Sequence, residues 1–178
     1  SIVRTTDLLR APRIFPDNEV YLKTENLQIT GSFKVRGAYY KISQLTEEQK
    51  AKGVIACSAG NHAQGVALAA QKAGIKATIC IPEGAPISKV EATRGFGAEV
   101  ELVKGVYDDA YNRAVELQHE TGMTFIHPFD DELVIAGQGT IGLEILDQIS
   151  DVDIVIVPVG GGGLIGGIAY AIKSLKPN

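Results

Sequence analysis

GVIACSAG (residues 53–60) runs directly into NHAQGVALAAQKAG (61–74), and the change of period at that junction decides the fold. The first half is an apolar run of strand length. The second carries small and apolar residues at helical spacing and stops at Gly74, as a C-terminal glycine cap does. The same alternation extends outward in both directions. VYLK (20–23) precedes a helix pattern from Phe33 to Leu45, and ATICIP (77–82) precedes a helix around SKVEATRGFG (88–97), where Gly97 is the second glycine stop. AEVELV (98–103) precedes DDAYNRAVELQHETG (108–122), TFIHP (124–128) precedes a helix around 137–149, and DIVIVPV (153–159) leads into a final helix. Strands and helices alternating at these lengths predict βαβ units and parallel sheets, so the fold class is α/β. Several strands are apolar without strict alternation, which predicts sheets covered on both faces. The charged stretch LTEEQKAKG (45–53) is either a crossing between domains or a solvated helix end.

With 178 residues, 45% of them hydrophobic, the chain has ample material for a buried core, in one large domain or two small ones. A formal charge of −4 and no Lys/Arg-dense stretch interleaved with aromatics argue against nucleic-acid binding. Cys57 and Cys80 have no metal-ligand spacing and sit in apolar strand-type runs, which predicts reduced, buried thiols and no metal site. The N-terminal SIVRTTDLLR lacks the apolar core and cleavage site of a signal peptide, so the expected location is cytoplasmic. Ile154 to Ile172 carries no charge and approaches the length of a membrane span. Pro158 and four consecutive glycines fall in its middle, so strand, loop and helix are predicted there, and no membrane partner.

Three segments could carry chemistry. In DIVIVPVGGGGLIGGIAYAIKSL a strand runs into Gly160–Gly163 and then a helix, which exposes backbone N–H groups at a positive helix end. That is a phosphate cradle; the alternative is a floppy connector. Gly161, Gly163 and Gly166 also satisfy the spacing of a dinucleotide fingerprint, which keeps a nicotinamide-dependent oxidoreductase open. CSAGNHAQG (57–65) is again strand end, tight loop and helix start, with Ser58 and Asn61 placed either to meet a ligand or to cap the helix. His62 has no carboxylate at triad or metal spacing, which favours a structural histidine. Finally, in SFKVRGAY (32–39) the spacing of Val35, Ala38, Ile42 and Leu45 starts a helix near Ser32, a plausible N-cap, with Lys34 in its first turn. The helix dipole and burial both disfavour an ammonium there, and a neutral lysine amine can form a Schiff base with a carbonyl; the alternative is a snorkelling surface lysine.

Taken together, GSFKVRGAYYK, CSAGNHAQGVALAA, PEGAPISKVEATRGFGAEV, IAGQGTIGLEI and VPVGGGGLIGGIA resemble the fold-type II pyridoxal-phosphate enzymes, in their threonine/serine dehydratase and serine racemase branch. The resemblance covers essentially the whole chain. It implies a tryptophan synthase β-like fold of two open, mainly parallel twisted sheets flanked by helices. A small domain of roughly residues 48–130 would be inserted between two parts, 1–47 and 131–178, of a larger cofactor-binding domain. It implies that Lys34 joins pyridoxal 5'-phosphate covalently, Phe33 lines its ring, and Gly160, Gly161, Gly162, Gly163 and Leu164 form the phosphate cup. Asn61 would meet the phenolic oxygen, and Ser58, Ala59, Gly60, Asn61 and His62 would hold the carboxylate of an amino-acid substrate.

The activity the resemblance implies is dehydration of L-threonine to 2-oxobutanoate and ammonia, and of L-serine to pyruvate, with Lys34 taking the Cα proton. The protein would be a homo-oligomer, dimer or tetramer, of the catabolic, single-catalytic-domain type. Racemase members carry a serine where this chain has Ala59, and a methyl group cannot donate a proton, so little racemisation is expected. The family continues beyond the point where SLKPN ends this sequence, so the C-terminal part of the fold, with the residue at the pyridine nitrogen, is expected to be missing. A serine racemase-type enzyme and a non-catalytic fragment are the remaining alternatives.

Overall fold

A computed structural model describes residues 2–177. In chain order the elements are strands β1 (Leu8–Arg10) and β2 (Tyr21–Lys23), a 3-10 turn at Glu25–Leu27, helices α1 (Lys34–Ser43) and α2 (Glu47–Lys52), β3 (Val54–Cys57), α3 (Asn61–Ala73), and β4 (Ala77–Pro82). There follow α4 (Ile87–Gly95), β5 (Glu99–Val103), α5 (Tyr107–Thr121), β6 (Thr124–Phe125), α6 (Glu132–Gln148) and α7 (Gly163–Leu175).

The parallel sheet predicted from the alternation forms with strand order β5-β4-β3-β6. Its two faces follow from the period of two along each strand. Val54 and Ala56 of β3, with Ile79 and Ile81 of β4, pack with Ala63, Val66, Ala67 and Ala70 of α3. Ile55, Cys57 and Cys80 point the other way, onto Ala110 and Ala114 of α5. Cys57 and Cys80 are register partners, free and buried, as the strand reading predicts. Burial pushes the Cys57 thiol up to about 11 and the Cys80 thiol up to about 12.

A second, mainly parallel sheet does not form among the described residues: the other pairing is the antiparallel ribbon of β1 and β2. The predicted strand 153–159 alternates as a strand does, with Val155 and Val157 packed on α6 and α7 while Ile154 and Ile156 are 78% and 86% exposed. It lies in no sheet because no described strand runs beside it to complete a ladder. Pattern supplies the alternation; a neighbour must supply the hydrogen bonds.

Two helices also differ from expectation. LTEEQKAKG contains α2, held by a capping box in which Thr46 and Gln49 exchange bonds and closed by Gly53 at φ 88°. The helix expected from 137 begins at Glu132, because Asp131 Oδ1 accepts the N–H groups of Leu133 (2.9 Å) and Val134 (3.1 Å). Helix α1 is caught between α3 and α6 at glycines. A Cβ on Gly65 would lie 3.0 Å from the Lys34 carbonyl carbon, and one on Gly137 would lie 2.6 Å from Gly37 Cα. Among the described residues no helix is long and apolar enough to cross a membrane.

Candidate active site

The loops after β3 and β6 leave the same carboxyl edge of the parallel sheet, where ligands of open α/β folds bind. Loop 58–60 leads into α3. Ser58 Oγ accepts the Gly60 N–H at 3.2 Å, and neither Ser58 nor Asn61 caps the helix, so the capping alternative is not what forms. Asn61 is the first residue of α3, is exposed, and its side chain makes no hydrogen bond among the described residues. Ala59 packs against the main core. His62 is buried, and its Nε2 lies 2.8 Å from the Ile126 carbonyl. A carbonyl only accepts, so Nε2 carries the proton and the buried Nδ1 lone pair has no partner. Desolvation lowers the His62 pKa to about 4 against the opposing pull of that carbonyl, with the Lys34 and His127 charges adding to the depression.

Lys34 opens α1, with Phe33 rather than Ser32 at the N-cap position. No side-chain cap forms there by strict geometry; Ser32 Oγ accepts the Lys34 N–H at a long 3.4 Å. The amine donates to the Pro128 carbonyl at 2.5 Å and lies 5.4 Å from the Phe33 ring centroid. Burial lowers its pKa below the ordinary lysine value, in the direction the position in the helix predicts. A lysine of this kind retains its lone pair more readily than a surface one.

The glycine run bends at Gly162 (φ 87°) into α7, whose first turn has no side-chain cap. On one side the loop seals against Phe129: a methyl on Gly161 would overlap the Phe129 ring, and one on Gly163 would lie 2.7 Å from the Phe129 carbonyl oxygen. On the other side, Cβ atoms at Gly160 and Gly162 would meet nothing within 4 Å. Uncapped amides, a closed back and an open front make a cradle for an anion. Leu164 and Phe33 pack around one apolar cluster, formed by Ile141, Ile145 and Ile168.

Residues 126–129 join these pieces, and the sequence reading missed them. Ile126 receives His62, Pro128 receives Lys34, and Phe129 backs Gly161 and Gly163. His127 Nδ1 accepts the Asp130 N–H at 2.7 Å and stands edge-on to Phe129 at 4.8 Å between centroids. The signal was present: a proline at the end of TFIHP stops a strand at the carboxyl edge of a parallel sheet. That segment is instead assigned to a longer strand in the sequence reading, whereas β6 ends at Phe125.

The structure thus brings a half-buried amine and a glycine-lined helix start together beside the carboxyl edge of a parallel sheet in an α/β fold. The chain belongs to the pyridoxal-phosphate dependent enzyme family, whose model matches residues 1–178. It is similar to the L-threonine ammonia-lyase of Thermotoga maritima, with 61% identity over 159 residues, 89% of this chain and 40% of the relative. Among solved structures, the processed form of threonine deaminase isoform 2 from Solanum lycopersicum aligns with TM-score 0.97 and 45% identity, over 99% of this chain and 52% of that one. Maize serine racemase aligns with TM-score 0.95 and 41% identity, over 98% and 54%. The chain thus spans about half the length of these solved relatives, and less of the curated one.

Proposed function

We propose that the protein containing this chain is a pyridoxal-phosphate dependent threonine ammonia-lyase, converting L-threonine to 2-oxobutanoate and ammonia and L-serine to pyruvate. The observation that carries this reading is the meeting of the Lys34 amine and the glycine cradle on the consecutive residues Pro128 and Phe129. In this reading Lys34 is the attachment point. Phe33 lines the cofactor ring, Gly160 to Gly163 and Leu164 hold its phosphate, and Asn61, whose side chain is free, meets its phenolic oxygen. When bound, pyridoxal phosphate supplies an electron sink for a negative charge at the substrate Cα.

The chain's own residues do the rest. The amides and side chains of Ser58 to His62, at the start of α3, bind and orient the substrate carboxylate. The Lys34 amine, free when substrate is bound, would take the Cα proton as general base, and burial lowers its pKa in the direction that role needs. The β-hydroxyl would then leave as water, carrying overall the proton that Lys34 took from Cα, as the Cα electron pair forms the Cα–Cβ double bond. Ala59 offers only a methyl group beside Gly60 and Asn61, so no proton donor stands there to return a proton to the opposite face and racemise the substrate. Residues 48–130, which hold the whole parallel sheet, act as a small domain closing on parts 1–47 and 131–178.

The test is a visible spectrum of the full-length protein with the cofactor. A band near about 410 nm that is absent in Lys34→Ala, and a borohydride-stable pyridoxyl adduct on Lys34, are expected. An adduct on another lysine, or none, refutes the attachment. Interconversion of D- and L-serine at a rate comparable to deamination refutes the role of Ala59.

A further inference from the structure

The first turn of α1 carries the amine on which the proposed function rests, yet its N-cap is a phenylalanine and the one nearby side-chain bond is the long contact to Ser32. A helix start of this kind frays unless something else holds it. Arg36 is two positions further on, about 200° around the helix from Lys34, so it leaves α1 on the far side from the amine. Its side chain is 1% exposed, and all five of its N–H donors are engaged. Nε and one terminal nitrogen bind Glu25 at 2.8 and 2.7 Å, and both terminal nitrogens bind Glu144 at 2.7 and 2.8 Å. Thr140 Oγ1 at 3.1 Å and the Arg4 carbonyl at 3.2 Å complete the set.

The clamp therefore ties α1 to three separate parts of the chain: the segment before β1, the 3-10 turn and α6. Glu144 is itself fixed by Lys23 at 2.6 Å, whose ammonium also reaches the Thr6 carbonyl (2.6 Å) and Gln148 (2.9 Å). Two cations and two carboxylates balance, so the cluster has no net charge to offer a ligand, and a purely ligand-binding role does not fit it. Two bidentate forks set the rotation of the turn about its own axis, which a single contact could not do. Gly65 and Gly137 leave the backbone on either side of Lys34 and Arg36 no room to shift sideways.

We propose that Arg36 is a positioning residue for Lys34: its double fork to Glu25 and Glu144 fixes the rotation of the first turn of α1 and so aims the amine at the site. The inference rests on Lys34 being the attachment point. It predicts that loosening the fork harms what Lys34 does more than it harms the fold.

The experiment uses the full-length, pyridoxal-phosphate-loaded protein and two variants: Arg36→Lys, which keeps the charge and removes both forks, and Glu144→Gln, which keeps the shape and removes one. Measured below each variant's Tm are kcat and KM for L-threonine. Also measured is the rate at which Lys34 recaptures pyridoxal phosphate after an amine has stripped it, with borohydride trapping and peptide mass spectrometry identifying the lysine. Arg36→Lys is expected to lower kcat and recapture about 100-fold, with KM within about threefold, because a misplacement near 1 Å costs that much. Glu144→Gln is expected to lower both about tenfold and decides the matter alone if Arg36→Lys does not fold. Variants whose Tm falls while kcat and recapture below it stay at wild-type values overturn the proposal. Wild-type protein without an adduct on Lys34 overturns the attachment instead, so the two failures are distinguishable.

Discussion

Two helix N-termini meet across Pro128 and Phe129, and they are built in opposite ways. At α1 the start is crowded: glycines admit neighbouring backbones, a buried arginine is forked between two carboxylates, and a lysine sits where the dipole and burial disfavour its charge. At α7 the start is bare: four glycines, no side-chain cap, and open space at Gly160 and Gly162. The difference teaches a division of labour. A group that must act at a fixed point is held by packing and ion pairs. Under the proposed function, a group that must be received is met by backbone amides left unfilled.

The comparison breaks most visibly at Arg36. Arg36→Met leaves Glu25 without its cation and Glu144 with Lys23 alone, and a buried charge that loses its partner costs about 3–5 kcal/mol. Urea unfolding of the variant against wild type measures it. A loss under about 1 kcal/mol would mean that α1 is not held from behind, and the contrast with α7 would disappear.

Next in size is a dependence on pH at the carbonyl ladder between the two helices. His62 is depressed from 6.5 to about 4, so between those values the unfolded chain binds the proton that the folded chain excludes. Stability therefore rises with pH from about 4 to 6.5 and is lost as pH falls through that window, by about 3 kcal/mol in all. His62→Gln is expected to flatten that slope in urea titrations at pH 4.5 and 7. An unchanged slope would place the titration elsewhere.

The bare helix start is sharpened by two glycines compared with each other. Gly163→Ala puts a methyl 2.7 Å from the Phe129 carbonyl and is expected to cost about 1–3 kcal/mol of stability. Gly160→Ala meets nothing within 4 Å and is expected to leave stability within about 0.5 kcal/mol. If the open front receives a phosphate, Gly160→Ala nonetheless weakens pyridoxal-phosphate binding about tenfold, measured by titration of the visible band. Equal binding by Gly160→Ala and wild type would remove Gly160 from the cradle.

How much of this was legible in the sequence follows from the range of the forces involved. Strand and helix periods around residues 53–122 are local, and β4 forms at Ala77–Pro82 where ATICIP predicts it. The glycine run and the first-turn lysine were also legible, because the requirement for free amides and for a destabilised ammonium is written in adjacent residues. What was not legible is long-range. The Arg36 forks join residues 11 and 108 positions apart. Residues 126–129 acquire their role only when α1, α3 and the glycine loop converge on their carbonyls and on the Phe129 ring. Segment 153–159 shows the converse: its alternation is local and real, but a strand exists only with a neighbour, and none stands beside it among the described residues.

The smallest expected effect tests the α1 side by removing the lysine amine itself. Burial lowers the Lys34 pKa, so between its folded value and 10.5 the unfolded chain binds more protons, and stability rises with pH through that window and is lost as pH falls through it. Where the amine is protonated the fold bears the cost of desolvating it, offset by its bond to the Pro128 carbonyl at 2.5 Å. Lys34→Met keeps the length, drops the charge and forfeits that bond, so the two changes oppose each other and the net effect at pH 7 is expected within about 1 kcal/mol of wild type. The slope below pH 10.5 that Lys34 contributes should vanish and the pyridoxyl adduct with it. A variant destabilised by several kcal/mol would show that the lysine is held in place for the sake of the fold, whereas near-neutral stability with the chemistry gone is what a position reserved for function requires.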